Sequence, residues 1–373
     1  MAKRNEYAPQ TVTHPGVTLS EKLGELGMSQ KEFAVRTGKP EQTIVKVISG
    51  ESALTPDMAI QFESVLRIPA NFWLKRQQQY DEAVARIKRS ELLAKASEWV
   101  GKFPVKEMTT FGWLPKTRNP NELAGMLLEF FSMSSPAAWE EYYLSQTLKV
   151  SFRISLAHFG EPFAISAWLR QGEVDSMKLD VPLFDKKKFA ASLPEIKQVM
   201  ADHPDDFFLR LQEICRNTGV KVVYTPCLPK APIHGSTRWL NDDTPLIQLS
   251  ARYKQNDRLW FTFFHEAGHI LLHGKKHISI ECAQSEVGTD EKEIEANDFA
   301  VKWTFSKEEE QEVLKFGSFK EQDILDFARK FGTHPAMIIG RFHHKHILPF
   351  SVGRKFIRPI QLDKSGVQVM ENN

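Results

Sequence analysis

His265, Glu266 and His269 stand in the order His-Glu-x-x-His within Phe264-His265-Glu266-Ala267-Gly268-His269. On a helix, residues i and i+4 share a face. The two imidazoles can therefore meet one metal ion, with Glu266 beside the first of them. Zinc lowers the pKa of a bound water to about 7, so a neighbouring carboxylate can take its proton at neutral pH. The pattern is the one that metallopeptidases place on a helix. The flanking WFTFF and ILLH are apolar. The helix should thus be buried, where two histidines and a glutamate are costly without a partner. A helix of hydrogen-bonded core histidines that holds no metal is the competing reading.

A catalytic zinc site needs a third protein ligand and an open position. A third histidine six residues beyond His269, preceded by glycine at the third, is ruled out, because those positions hold Lys275 and Leu272. Glu293-Ile294-Glu295-Ala296-Asn297 offers carboxylates on a second helix, on which Glu293, Ala296, Asn297 and Ala300 share a face. Glu293 is the preferred third ligand and Glu295 the alternative. Small alanines let the two helices approach, and Asn297 can hold a ligating histidine in place. His273 extends the i, i+4 series but drifts off the ligand face, so it reads as helix-end packing or support for a ligand. His277, His343, His344 and His346 read as solvated, and nothing supports Cys282 as a ligand. His234, Arg238 and Tyr253 are candidates to stabilise a developing oxyanion; Arg238 reads equally well as a structural ion-pair residue.

The elements around these residues fall into three stretches. Leu19, Leu23 and Leu26 keep helical spacing up to Gly27. Ser29 and Glu32 form a capping box for the next helix, which ends near Gly38. Pro40, Pro56 and Pro69 each open a further helix, because proline's missing N–H needs no partner in the first turn. A helix, a short turn through Gly38 and a second helix form helix-turn-helix order. The exposed start of that second helix, Glu41, Gln42, Thr43 and Lys46, would face bases. Gln42 can pair with adenine, and Lys46 can reach guanine or a phosphate. Gln30, opening the supporting helix, can grip a phosphate. Residues 1–90 hold 13 Lys/Arg against 10 Asp/Glu, which does little to decide between DNA binding and a plain helical bundle. Residues 1–16 read as a frayed lead-in. The segments after residue 80 read as amphipathic helices with no chemical motif, a linker or platform. Beyond Gly219, VKVVYTP and TPLIQLSARY read as strands, with Ile278–Glu281 as a third.

The chain of 373 residues is 42% hydrophobic and 26% charged, with a formal net charge of +2. That composition fits a folded protein and excludes a disordered one. Three scattered cysteines argue against a disulfide framework and fit a reducing cytoplasm. No apolar run approaches the roughly 18 residues that span a membrane, and the first residues do not read as a signal peptide.

Residues 233–305 resemble the ImmA/IrrE metallopeptidases. The matching text is Gly235-Ser236-Thr237-Arg238-Trp239-Leu240, Ile247-Gln248-Leu249-Ser250, the stretch from Phe261 to His273, and Glu293 to Ala300. The resemblance implies a small α/β zincin fold, zinc held by His265, His269 and the glutamate of the second helix, and cleavage of a partner protein, often a repressor. Trp303-Thr304-Phe305 departs from the Leu-Met-Pro-like continuation of that family, which would alter the substrate groove. Residues 28–83 resemble HigA-type antitoxins of the Xre helix-turn-helix class, through Gly50-Glu51-Ser52-Ala53-Leu54-Thr55-Pro56 and Asn71-Phe72-Trp73-Leu74. This implies operator binding, as a dimer on a palindrome. Acidic Glu41 departs from a plain DNA-facing position; it would select cytosine or weaken binding.

The expected architecture is α+β and mostly α: a five-helix helix-turn-helix domain over 17–80, a helical linker or platform over 81–210, a small α/β zincin-like domain over 211–345 and a tail over 346–373. The expected function is a cytoplasmic DNA-binding regulator fused to a zinc endopeptidase that cleaves a repressor or a toxin–antitoxin component. A non-catalytic antitoxin or repressor with a structural or sensory metal is the alternative.

Overall fold

The computed structural model describes residues 13–146, 161–229, 231, 233–250, 252, 255–275, 279–282, 291–360 and 362. They divide into two compact units, between Ser97 and Glu98. The chain is mostly helical, with one small sheet in the second unit.

The first unit contains α1 (Pro15–Glu25), α2 (Gln30–Thr37), α3 (Glu41–Ile48), α4 (Pro56–Leu66) and α5 (Ala70–Ala94). Helix α1 starts inside the expected lead-in, because Pro15 suits a first turn and the His14 ring accepts from the Gly16 amide at 3.0 Å. The expected capping box on α2 is half formed. Ser29 Oγ accepts from the Glu32 amide at 3.1 Å, but the Glu32 carboxylate pairs with Arg36 instead of reaching back. Leu19, Leu23, Phe33, Ile44, Val47, Phe62 and Trp73 fill the core. Nothing breaks the chain between Trp73 and Ala94, so α5 runs through the boundary expected at residue 80.

The second unit begins within α6 (Ser97–Gly101) and continues with α7 (Val105–Thr110), α8 (Pro120–Phe131) and α9 (Pro136–Glu140), followed by a π-helical turn, Glu141–Gln146. Trp99, Phe103, Phe131, Trp139 and Phe163 bind these helices in an aromatic cluster. Next come α10 (Pro162–Ser176), α11 (Lys186–Asp202) and α12 (Phe207–Arg216). Then follow β1 (Lys221–Tyr224), β2 (Ile233–Asn241), β3 (Thr244–Leu249), α13 (Asn256–His273) and β4 (Ser279–Cys282). The unit closes with α14 (Glu291–Thr304), α15 (Lys307–Phe316), α16 (Glu321–Phe331), α17 (Pro335–His344) and a 3-10 turn, Arg354–Phe356.

The strand order is β1-β3-β2-β4, with β1 parallel to β3 and β2 antiparallel to both neighbours. Side chains alternate across a strand, and β2 uses both faces. Thr237 Oγ1 donates to the Glu266 carbonyl of α13 at 3.1 Å. Arg238, one residue on, points the other way. It donates to Gln248 Oε1 at 2.9 Å and to the Leu169 carbonyl of α10 at 2.6 Å. Gln248 in turn donates to the Trp168 carbonyl at 2.7 Å. Helices α10 to α12 thus pack as part of the second unit, where a linker or platform was expected: α10 covers one sheet face, and α11 and α12 share the main core with α13. The expected tail is likewise packed up to residue 360. Gln255 bridges Pro359, the Asn256 amide donates to the Arg358 carbonyl at 3.1 Å, and Ile360 is fully buried. Residues 363–373 of that tail lie outside the described residues.

Trp260 of α13 donates its indole N–H to His203 Nδ1 at 3.1 Å, and His334 Nδ1 accepts from the Ala336 amide at 3.1 Å. Both bonds need neutral imidazoles. Burial pushes His203 down to about 3 and His334 down to about 4. The unfolded chain takes up protons on these groups below about pH 6.5 while the folded chain does not. The second unit should therefore lose stability, by about 2 kcal/mol or more, as pH falls from 6.5 to 4. Urea unfolding across that range measures the loss, and His334→Asn should reduce the slope. Arg238→Leu should cost about 3 kcal/mol at pH 7, because Gln248 and Glu173 lose a buried cation.

Candidate metal centre and nucleic-acid interface

Helix α13 is buried almost all round. His265, Glu266 and His269 are each at most 2% exposed. Two close approaches allow this. A Cβ on Gly268 would meet the Phe299 ring of α14 at 3.2 Å, and one on Gly235 would meet Thr262 Cγ2 at 2.5 Å and Glu266 Oε1 at 3.0 Å. Ala296 and Ala300 are fully buried on the facing side of α14.

Across this interface the three expected ligands converge. His265 Nε2 lies 3.0 Å from His269 Nε2 and 3.2 Å from Glu293 Oε2, and His269 Nε2 lies 3.5 Å from Glu293 Oε1. Zinc bonds of 2.0–2.1 Å in a tetrahedron set ligand atoms about 3.3 Å apart, so the donor atoms match a zinc ion in kind and spacing. Among the described residues this is the one cluster of three such donors. Burial holds His269 down to about 4, outweighing Glu293, so its ring is neutral at pH 7 and keeps a lone pair for metal. Burial would raise the Glu293 carboxyl, but the adjacent His265 and His269 rings outweigh it and hold the group well below the usual carboxylate range.

The outer ring nitrogens of both histidines are also engaged. His265 Nδ1 lies 3.0 Å from Asn297 Oδ1. His269 Nδ1 lies 2.8 Å from His273 Nδ1, and His273 Nε2 lies 2.9 Å from Glu295 Oε2. Glu295, the alternative third ligand, is thus turned away from the donor cluster and onto His273.

In the first unit, Ile44 and Val47 anchor α3 in the core, while Glu41, Gln42 and Lys46 are exposed and Thr43 is half-buried. Gln30 is exposed at the start of α2. The turn between α2 and α3 is set by Gly38 at φ 65°, a left-handed conformation that glycine adopts without strain.

Residues 215–342 match the IrrE N-terminal-like domain of a peptidase family, and residues 19–73 match the helix-turn-helix family. The first unit thus carries a helix-turn-helix family domain, and the second carries a domain similar to the IrrE N-terminal-like one. An HTH-type transcriptional regulator of Escherichia coli, YddM, is 35% identical over 71 residues, which are 19% of this chain and 76% of that protein. A HigA-family addiction module antidote protein from Coxiella burnetii is 29% identical and covers 23% of this chain and 95% of its own, with a TM-score of 0.22. Pseudomonas aeruginosa antitoxin HigA, solved with the higBA promoter, is 26% identical over 22% of this chain and 89% of its own, with a TM-score of 0.21.

Several expectations change in the peptidase domain. Arg238 is a structural cation on the sheet face opposite α13, so it cannot serve as an oxyanion donor there. His234 lines a small cavity with Leu259 and Thr262, one turn before Glu266. Tyr253 and His277 lie outside the described residues. His343 is buried, with Nε2 2.8 Å from the Val352 carbonyl, whereas His344 and His346 are exposed as expected. Trp303-Thr304-Phe305 fills the core: Trp303 stacks on Phe264, Thr304 donates to the Ala300 carbonyl at 2.7 Å, and Phe305 packs on Phe331 and Phe342. The partners of His273 and Glu295 were not foreseen; the i, i+4 step from His269 to His273 was the available signal. Gly235→Ala should cost about 1–3 kcal/mol in denaturant unfolding of the peptidase domain, because β2 cannot keep its distance from Glu266.

Proposed function

We propose that the chain is a DNA-binding regulator joined to a zinc-dependent endopeptidase that cleaves a protein partner, such as a repressor or a toxin–antitoxin component, in the cytoplasm. The observation that carries this reading is the convergence of His265, His269 and Glu293 beside the buried carboxylate of Glu266. A site that only held a metal would have no use for Glu266. Zinc, when bound, supplies a Lewis acid that brings the pKa of water to about 7. Asn297 orients His265, and neutral His269 keeps its lone pair for the ion. The Glu266 carboxylate accepts a proton from the attacking water and returns it to the departing amine as the peptide bond breaks. The apolar flanks of α13 limit bulk water around this exchange.

The helix-turn-helix domain would bind operator DNA as a dimer, with α3 in the major groove. Gln42 and Lys46 would read bases, Thr43 and Glu41 would flank them, and Gln30 would hold a phosphate. Exposure of Gln30, Glu41, Gln42 and Lys46 at the starts of two adjacent helices supports the assignment.

Glu266→Gln should retain zinc and DNA binding and lose cleavage of the partner by at least about 100-fold, measured on partner proteins co-expressed with each variant. Cleavage at the wild-type rate would overturn the peptidase assignment. Regulation unchanged in this variant would favour a non-catalytic regulator. Gln42→Ala with Lys46→Ala should weaken binding to the chain's own promoter DNA by about 2 kcal/mol or more, measured by anisotropy at fixed salt.

A further inference from the structure

Helix α14 contributes more to the metal centre than the one ligand Glu293. Glu293, Glu295 and Asn297 stand two residues apart: Glu293 faces His265 and His269, Asn297 faces His265, and Glu295 faces His273. The pair His273 and Glu295 touches none of the reacting positions, yet His273 is held on both ring nitrogens, by His269 at 2.8 Å and by Glu295 at 2.9 Å. Its side chain is 3% exposed, although Glu295 itself is half exposed.

The directions of these bonds follow from the chemistry of the end group. A carboxylate only accepts. Glu295 therefore takes the proton on His273 Nε2. For His269 to offer Nε2 to a metal, its own proton must lie on Nδ1, where His273 Nδ1 at 2.8 Å accepts it. That leaves His269 Nε2, the atom facing His265 and Glu293, as a lone pair. Asn297 Oδ1, an acceptor, sets the same tautomer at His265 in one step. From this we infer that His273 and Glu295 form a positioning relay that fixes the tautomer and ring orientation of His269 for metal binding. The inference rests on the zinc reading above. It gives Glu295 a role at the centre without making it a ligand. Outer partners of ligating histidines commonly change metal affinity by 10–100-fold.

The test is a competition titration of the full-length protein with zinc against a chromophoric chelator, with nitrogen NMR of the histidine side chains in the zinc-free protein. Glu295→Ala should weaken zinc binding about 10-fold and His273→Phe about 10–100-fold. His273→Gln, which keeps an acceptor for His269, should recover most of the loss, and it serves as the variant if His273→Phe fails to fold. Because Glu295 acts only through His273, Glu295→Ala combined with His273→Phe should be no weaker than His273→Phe alone. The NMR spectra should place the proton on Nδ1 of His269 and Nε2 of His273.

Zinc affinities of Glu295→Ala and His273→Phe within twofold of wild type, or additive losses in the double variant, would overturn the relay while leaving the metal centre standing. Failure of the wild type to bind zinc, with His265→Ala indistinguishable from it, would overturn the metal reading and with it the affinity claim. The tautomers would then still report on the hydrogen-bond chain, and a proton on His269 Nε2 would refute it.

Discussion

The structure depends on burying a polar helix. His265, Glu266 and His269 sit at the middle of the peptidase domain, on a helix whose other neighbours are phenylalanine, leucine and tryptophan. In that setting an imidazole or carboxylate without partners would cost several kcal/mol. The close packing of α14 against α13 supplies those partners to the two histidines. Gly268, Ala296 and Ala300 remove the bulk that would hold the helices apart, and Glu293, Glu295 and Asn297 then reach across. Small residues and acidic residues on α14 are thus two halves of one requirement.

The sheet holds α13 from its other side by the same logic. Gly235 lets β2 lie against Glu266, and Thr237 bonds to the helix backbone there. The opposite sheet face is polar too, but it is satisfied internally, by Arg238, Gln248 and the Trp168 and Leu169 carbonyls of α10. The first unit solves a smaller problem with an apolar core and capped helix starts, leaving the outward face of α3 unconstrained by packing.

The legible parts of the sequence were those governed by local rules. Helix starts at Pro40, Pro56 and Pro69, the i, i+4 histidines and the small-residue face of α14 all follow from spacing. Strand β2 was not legible, because Ile233–Asn241 contains glycine, serine and asparagine and has no apolar alternation: both faces are covered, each by a polar-lined helix. The unbroken run of α5 was obscured by a change in composition that carries no breaking residue. Glu293 and Glu295 have the same residue type two positions apart, and only the partner helix distinguishes them. Arg238 and His343 were ambiguous for a like reason, since a long polar side chain announces neither its sheet face nor its burial.

The central claim is that α13 and α14 together build a zinc site from two imidazoles and one carboxylate. X-ray absorption at the zinc edge, with metal content measured on the same sample, addresses it directly. One zinc per chain with only nitrogen and oxygen ligands at about 2.0–2.2 Å is expected, lost in Glu293→Ala and retained in Glu266→Gln. Absence of stoichiometric zinc, or a sulfur ligand in its shell, would contradict it.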